Sequence, residues 1–213
     1  MNPRVLLLLL PVLGLLSCSK PTDNVEPPIP SWIIRSHVAF LEADGRTARP
    51  IPKEKLRLWM PYIVGDFWGS PNAPELVPVE LEADLGFTLN LNLGHLRLAK
   101  VLVPTEFSQR WMSIEPTTAR VARLSPWVFP AEGMDSLGLC EWLDADTGER
   151  LMLVYLDRPA RVRGEIVYEG RSLQFDIESR EAGFLWIQQP RDSGVYRAVP
   201  RPERLVLAVV PNA

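Results

Sequence analysis

The chain has 213 residues, with 23 Lys and Arg against 26 Asp and Glu, a formal net charge of −3 and 46% hydrophobic residues. A mildly acidic chain without Lys/Arg blocks lacks the electrostatic footprint of a nucleic-acid binder and the polybasic patch that reads anionic lipid. Its only cysteines, Cys18 and Cys140, exclude a disulfide-stapled scaffold, and its length suits one large β domain or two of about 100 residues.

The first element is a leader. Arg4 supplies one positive charge, and Val5 to Leu16 is an apolar run broken by Pro11 and Gly14. A spanning helix needs about 20 apolar residues, so this run reads as an export signal over residues 1–17. Its end, Leu15-Leu16-Ser17-Cys18, resembles the lipobox of bacterial lipoproteins. That resemblance implies cleavage before Cys18, lipidation of its thiol and a membrane anchor of more than one acyl chain, the number that makes anchoring stable. By the same resemblance, Ser19 implies sorting to an outer membrane, with the folded part facing the periplasm. An ordinary secretory signal that happens to end near Cys18 is the alternative. Cleavage would leave 22 basic against 26 acidic residues, a net charge of −4.

Residues 19–31, Ser-Lys-Pro-Thr-Asp-Asn-Val-Glu-Pro-Pro-Ile-Pro-Ser, are proline-rich and have no apolar period. With Cys18 they read as a lipidated tether, residues 18–31. At about 3.1 Å per residue in polyproline form it would reach roughly 40 Å.

From Trp32 onward the pattern is β: short runs alternate apolar and polar residues, and the chain's 21 prolines leave little room for long helices. Strands are expected at 33–42, 55–60, 76–83, 87–93, 96–103, 119–124, 138–143, 150–156, 161–168, 172–178, 183–189, 194–199 and 204–210. In the 161–178 hairpin, Leu173, Phe175 and Ile177 share one face, with Gly170-Arg171 as the turn. Asp144 to Gly148 marks a second hairpin. Leu205 to Val210 is apolar on both faces, as a covered central strand requires.

Phe40-Leu41-Glu42-Ala43-Asp44-Gly45-Arg46 is similar to Trp142-Leu143-Asp144-Ala145-Asp146-Thr147-Gly148-Glu149-Arg150, and Gly86-Phe87 and Gly183-Phe184 each open a later strand. Two copies of one β domain, 32–130 and 131–213, would explain this, with the boundary near Pro126 to Gly133; chance similarity of strand and turn composition would explain it nearly as well. The order of strand, Asp-Gly turn and later Ala83-Asp84-Leu85-Gly86-Phe87-Thr88-Leu89-Asn90-Leu91 strand resembles immunoglobulin-like or transthyretin-like sandwiches over residues 36 to 93. The expected fold is therefore an all-β antiparallel β-sandwich of two such modules. Fold alone assigns no function.

Motifs that carry chemistry are sparse. Asp144-x-Asp146-x-Gly148 begins like a calcium loop, but its twelfth position is Tyr155, so a hairpin turn is the better reading. His37 and His95 stand far from other metal-ligand residues. No nucleophile elbow, His-Glu-x-x-His pair or phosphate-binding glycine loop occurs. Glu80 and Glu82 read as the solvated face of a strand, and Cys140, in an apolar run, as a buried inert thiol. No enzyme activity, cofactor or metal is expected. The unusual segment is 59–74, where Trp59, Tyr62, Phe67 and Trp68 crowd a stretch rich in Gly and Pro. Such aromatics either cap the open end of a sandwich or present a binding edge for a glycan, peptidoglycan or an envelope protein.

Overall fold

The computed structural model describes residues 32–64, 76–91, 100–101, 112–133, 135–168, 170–191 and 194–211. They form fifteen strands: β1 (Trp32–Phe40), β2 (Leu56–Val64), β3 (Leu76–Val79), β4 (Gly86–Leu91), β5 (Lys100–Val101), β6 (Met112–Glu115), β7 (Arg120–Leu124), β8 (Trp127–Pro130), β9 (Leu139–Asp144), β10 (Arg150–Leu156), β11 (Ala160–Tyr168), β12 (Arg171–Ser179), β13 (Gly183–Gln189), β14 (Gly194–Val199) and β15 (Leu205–Val210). No helix occurs among the described residues. The all-β sandwich follows from the alternation. Two pairings, β1 with β15 and β12 with β14, are parallel, so the sheet is mixed rather than purely antiparallel.

The main hydrogen-bonded path runs β4-β1-β15-β9-β10-β13-β14-β12-β11-β6. It forks at β10. One edge of β10 pairs with β13 along its whole length, while the other is shared by β9, at Arg150 and Leu151, and β7, at Leu153 to Leu156. From the fork one branch continues through β15, β1 and β4, and the other through β2 to β3. Inward side chains of the two branches, Ile34, Phe87, Trp142 and Leu207 from the first and Leu58, Met60, Ala122 and Leu124 from the second, meet in one core. These are the facing layers of the sandwich.

Because successive strand residues point to opposite faces, β10 serves two cores at once. Leu151 and Leu153 enter the first; Met152, Val154 and Leu156 enter a second, closed by Val162, Phe175, Ile177 and Tyr196. A seven-residue strand with no polar face after Arg150 is what such double coverage demands. β15 meets the same requirement between β1 and β9, where Leu207, Ala208 and Val209 are fully buried.

Within the stretch expected to hold a boundary, Trp127–Pro130 is strand β8. β7 and β8 lie antiparallel to β2 in one continuous register, Tyr62 opposite Leu124 and Trp59 opposite Trp127, with the Ser125 amide donating to the Pro61 carbonyl at 3.0 Å. Pro126 has no N–H to give, so the ladder lapses there and resumes. Strand pairing therefore crosses residue 130, through β7 with β10 and β1 with β15, and the first core draws on both sides. Gly86-Phe87 opens β4 beside β1, the strand before its turn, whereas Gly183-Phe184 opens β13 beside β10, the strand after its turn. The two similar sequence stretches are thus paired differently.

Two further readings shift in detail. Tyr168 pairs with Arg171, so Arg171 is already strand rather than turn, and Gly170 lies at φ +75°. Leu173, Phe175 and Ile177 do share the inward face. Glu80 and Glu82 follow the end of β3, on exposed backbone outside any strand.

The two similar turns do share one device. Asp44 Oδ1 accepts from the amides of Arg46 and Thr47 at 2.8 Å, and Asp144 Oδ1 accepts from those of Asp146 and Thr147 at 2.8 and 3.3 Å. The carboxylate replaces a backbone acceptor in each turn. At Asp44 the Thr47 hydroxyl, at 2.6 Å, adds a third bond, and with the two amides it lowers the carboxyl from 3.8 to about 2. A depressed carboxyl stabilises the fold above its unfolded value and loses that contribution as pH falls through the folded one. Asp44→Asn should lower the urea midpoint at pH 7, and its deficit relative to wild type should shrink as pH falls from about 4 to about 2. A deficit that does not change with pH would refute the assignment.

Candidate functional site

Trp59 does not lie in a loop. Residues 56–64 are strand β2, whose even positions Leu56, Leu58 and Met60 are buried in the first core. The odd positions Arg57 and Trp59 must then point outward. β8 repeats this on the facing strand: Val128 is buried, and Trp127 and Phe129 point out beside Trp59 and Arg57. Two antiparallel strands thus bring four side chains together into one outward cluster.

Its geometry is specific. Trp127 stacks on Phe129 with ring centroids 6.0 Å apart and planes 7° apart. Phe129 meets Trp59 edge-on at 5.1 Å, with an interplanar angle of 61°. The Arg57 guanidinium sits 4.8 Å from the Trp59 ring and 5.6 Å from Phe129, and it donates to the Gly133 carbonyl. Each aromatic pair contributes about 0.5–1.5 kcal/mol beyond burial, and a partly exposed cation–π contact about 0.5–1 kcal/mol. The cluster is therefore rigid. Phe129 is covered, while Trp127 keeps 36% of its surface in solvent, so the part most open to a partner is an indole stacked on a ring that also meets the Arg57 guanidinium. The four residues hold neither a nucleophile nor a proton acceptor; the cluster can stack and attract, but it cannot by itself catalyse.

Of the residues expected in the binding segment, Trp59 joins this cluster. Tyr62 lies on β2 opposite Leu124, and nothing more is described of its side chain. Phe67, Trp68 and Cys18 lie outside the described residues. Trp127, Phe129 and Arg57 do not stand out in the sequence, although Arg57-x-Trp59 and Trp127-x-Phe129 both carry the period-two signal of one strand face. The prolines around Trp127 concealed it.

The remaining candidates are placed as follows. His37 is exposed on β1, and His95 is outside the described residues. Asp144 is committed to its turn. Among the described residues no group of three or more His, Cys, Asp or Glu is arranged to hold a metal ion. Cys140, partly buried on β9, has its thiol pushed up to about 12 by desolvation, only partly offset by a hydrogen bond from the Val128 backbone. At pH 8 its thiolate fraction is roughly one in ten thousand. In a Cys18→Ala background, Cys140 should resist iodoacetamide when folded and react fully in urea. Equal labelling in both states would contradict the burial.

Comparison with protein-family models, with curated proteins and with solved structures finds no match to this chain.

Proposed function

We propose that this protein is a lipid-anchored component of a bacterial cell envelope, held at the outer membrane on the periplasmic side, that binds a partner without transforming it. The observation that carries this reading is the order of the N-terminal sequence: an apolar leader, Leu15-Leu16-Ser17-Cys18, thirteen proline-rich residues, and then the first strand at Trp32. An anchor, a spacer and a folded body follow one another without a gap. The aromatic cluster on β2 and β8 is the surface best suited to the partner. Mild crosslinking in the native envelope, followed by purification, should yield a defined envelope protein with the wild-type chain and much less with Trp127→Ala. A crosslinked species unaffected by Trp127→Ala would remove the cluster from this role.

A second reading has its own support. An exposed indole on a rigid stack is suited to the apolar face of a sugar ring, because its two side-chain torsions are already fixed and little entropy is lost on binding. Isolated peptidoglycan should then retain the protein, and Trp127→Ala should release it without lowering Tm by more than a few degrees. Retention that survives this change would exclude the glycan reading.

A further inference from the structure

The seam between β1 and β15 is closed in two ways. From Val38 to Phe40 it is a parallel ladder, with Val38 opposite Leu207, and the Leu41 amide prolongs it by donating to the Val209 carbonyl at 3.0 Å. Before Val38 no strand pairs with this edge of β1 among the described residues, while its other edge pairs with β4 from Trp32 to His37. The chain leading into β15 is Pro200-Arg201-Pro202-Glu203-Arg204, and two prolines without N–H groups are poorly suited to extend a ladder. Side chains take over. Ser36 Oγ donates to the Leu205 carbonyl at 2.8 Å, in the register that the ladder keeps further on, and Arg201 donates to the Ile33 carbonyl at 2.6 Å. The same guanidinium lies 5.7 Å from the Trp32 ring, which meets Phe184 at 5.3 Å.

The first residues of a folded body fray unless something ties them down. Here Trp32, Ile33 and Ser36 are tied by groups that belong to no ladder. Strand direction gives this a mechanical meaning. Because β1 and β15 run the same way, the N-terminal end of one and the C-terminal end of the other lie at opposite ends of their seam. Ladder hydrogen bonds run across the strands. A pull on Trp32 along β1, against a hold at the far end of β15, therefore loads those bonds and the Arg201 and Ser36 contacts together. A pull that peels the two strands apart from the Phe40 end breaks them in turn.

We propose that the N-terminal half of β1 is a load-bearing fastening, closed by Arg201, that passes a pull on the preceding residues into the sandwich while the fold stays intact. A protein held to a membrane at one end and to a partner by its body is stretched whenever the two move apart. The use of the fastening thus rests on the reading of residues 18–31 as a lipidated tether. Its strength depends only on β1, β15 and the connection that carries Arg201.

The test is forced unfolding of single molecules of the full chain carrying Cys18→Ala, a measurement governed by the unfolding rate. One set of handles joins the N terminus and the C terminus; the other joins position 43, exposed in the turn after β1, and the C terminus. At one force the first arrangement should unfold at least about tenfold more slowly, because several hydrogen bonds must break together rather than in turn. Arg201→Ala should speed the first about tenfold, the effect of losing one hydrogen bond from a charged group. It should leave the second unchanged, since peeling starts at the Phe40 end. The Arg201 bond to Ile33 is exposed, so the variant should fold. Equal rates in the two arrangements would overturn the proposal, as would an Arg201→Ala that speeds both alike or neither. No lipid enters this measurement, so its failure removes the fastening alone, while failure of the anchor is read separately from the mass of the membrane-purified protein.

Discussion

Trp186→Ala is expected to destabilise the protein by about 3–5 kcal/mol, the cost of emptying a large aromatic site in a core that cannot fully collapse. Trp186 is 1% exposed and meets Trp142, equally buried, edge-on at 5.5 Å; Phe87, of the same branch as Trp142, packs against it at 6.0 Å. This aromatic column joins β13, β9 and β4, so its loss loosens the first core. For a chain of this length the change corresponds to a fall in Tm of about 6–20 °C. Neither indole N–H has a hydrogen-bond partner among the described residues, and a buried unpaired donor is itself unfavourable. Trp186→Phe, which removes that donor and keeps most of the ring, should therefore cost well under the alanine value. Trp127→Ala, on the solvent face, should cost about 1 kcal/mol. Thermal melts that ranked Trp127→Ala beside Trp186→Ala would contradict the placement of the core.

Gly138→Ala should be nearly as damaging for a different reason. Gly138 sits at φ +153°, just before β9, and a Cβ there would lie 2.1 Å from the carbonyl oxygen of Val210 and 2.9 Å from its carbon. That carbonyl belongs to β15, in register with Leu139, so it cannot retreat without opening the β9–β15 ladder. Overpacking against backbone with strain at a glycine-only conformation should cost about 3 kcal/mol or more, a Tm loss of about 6–12 °C. Gly148→Ala separates the two contributions: its φ of +71° is also left-handed, but nothing lies within 4 Å of the added carbon. It should cost only about 1–2 kcal/mol. Equal losses at the two positions would show that the clash is relieved.

Most strands are legible from residue order because each buries one or both faces. The Gly194–Val199 strand matches its expected bounds, and Leu205–Val210 differs from expectation by one residue. Met112–Glu115 and Trp127–Pro130 were not anticipated: both are four residues long, too short for alternation to register, and the second is flanked by Pro126 and ends in Pro130. Among the described residues Trp127–Pro130 pairs only with Leu56–Val64, and proline is tolerated at such an edge because no neighbour needs its missing N–H. The same prolines that suit an edge strand also make the stretch resemble a linker in sequence. The aromatic cluster is half visible in the sequence: Trp59 stands out, but its partner Trp127 becomes a neighbour only through a long-range register that no local pattern encodes. The same holds for the parallel seam of Trp32–Phe40 with Leu205–Val210.

The most direct test of the proposed anchoring is the intact mass of the protein purified from the membranes of its own host, with and without Cys18→Ala. A mass beginning at Cys18 plus acyl chains, lost in the variant along with membrane association, is the expected result. An unmodified mass, or a chain that keeps its leader, would contradict the anchor and with it the assignment to the outer membrane.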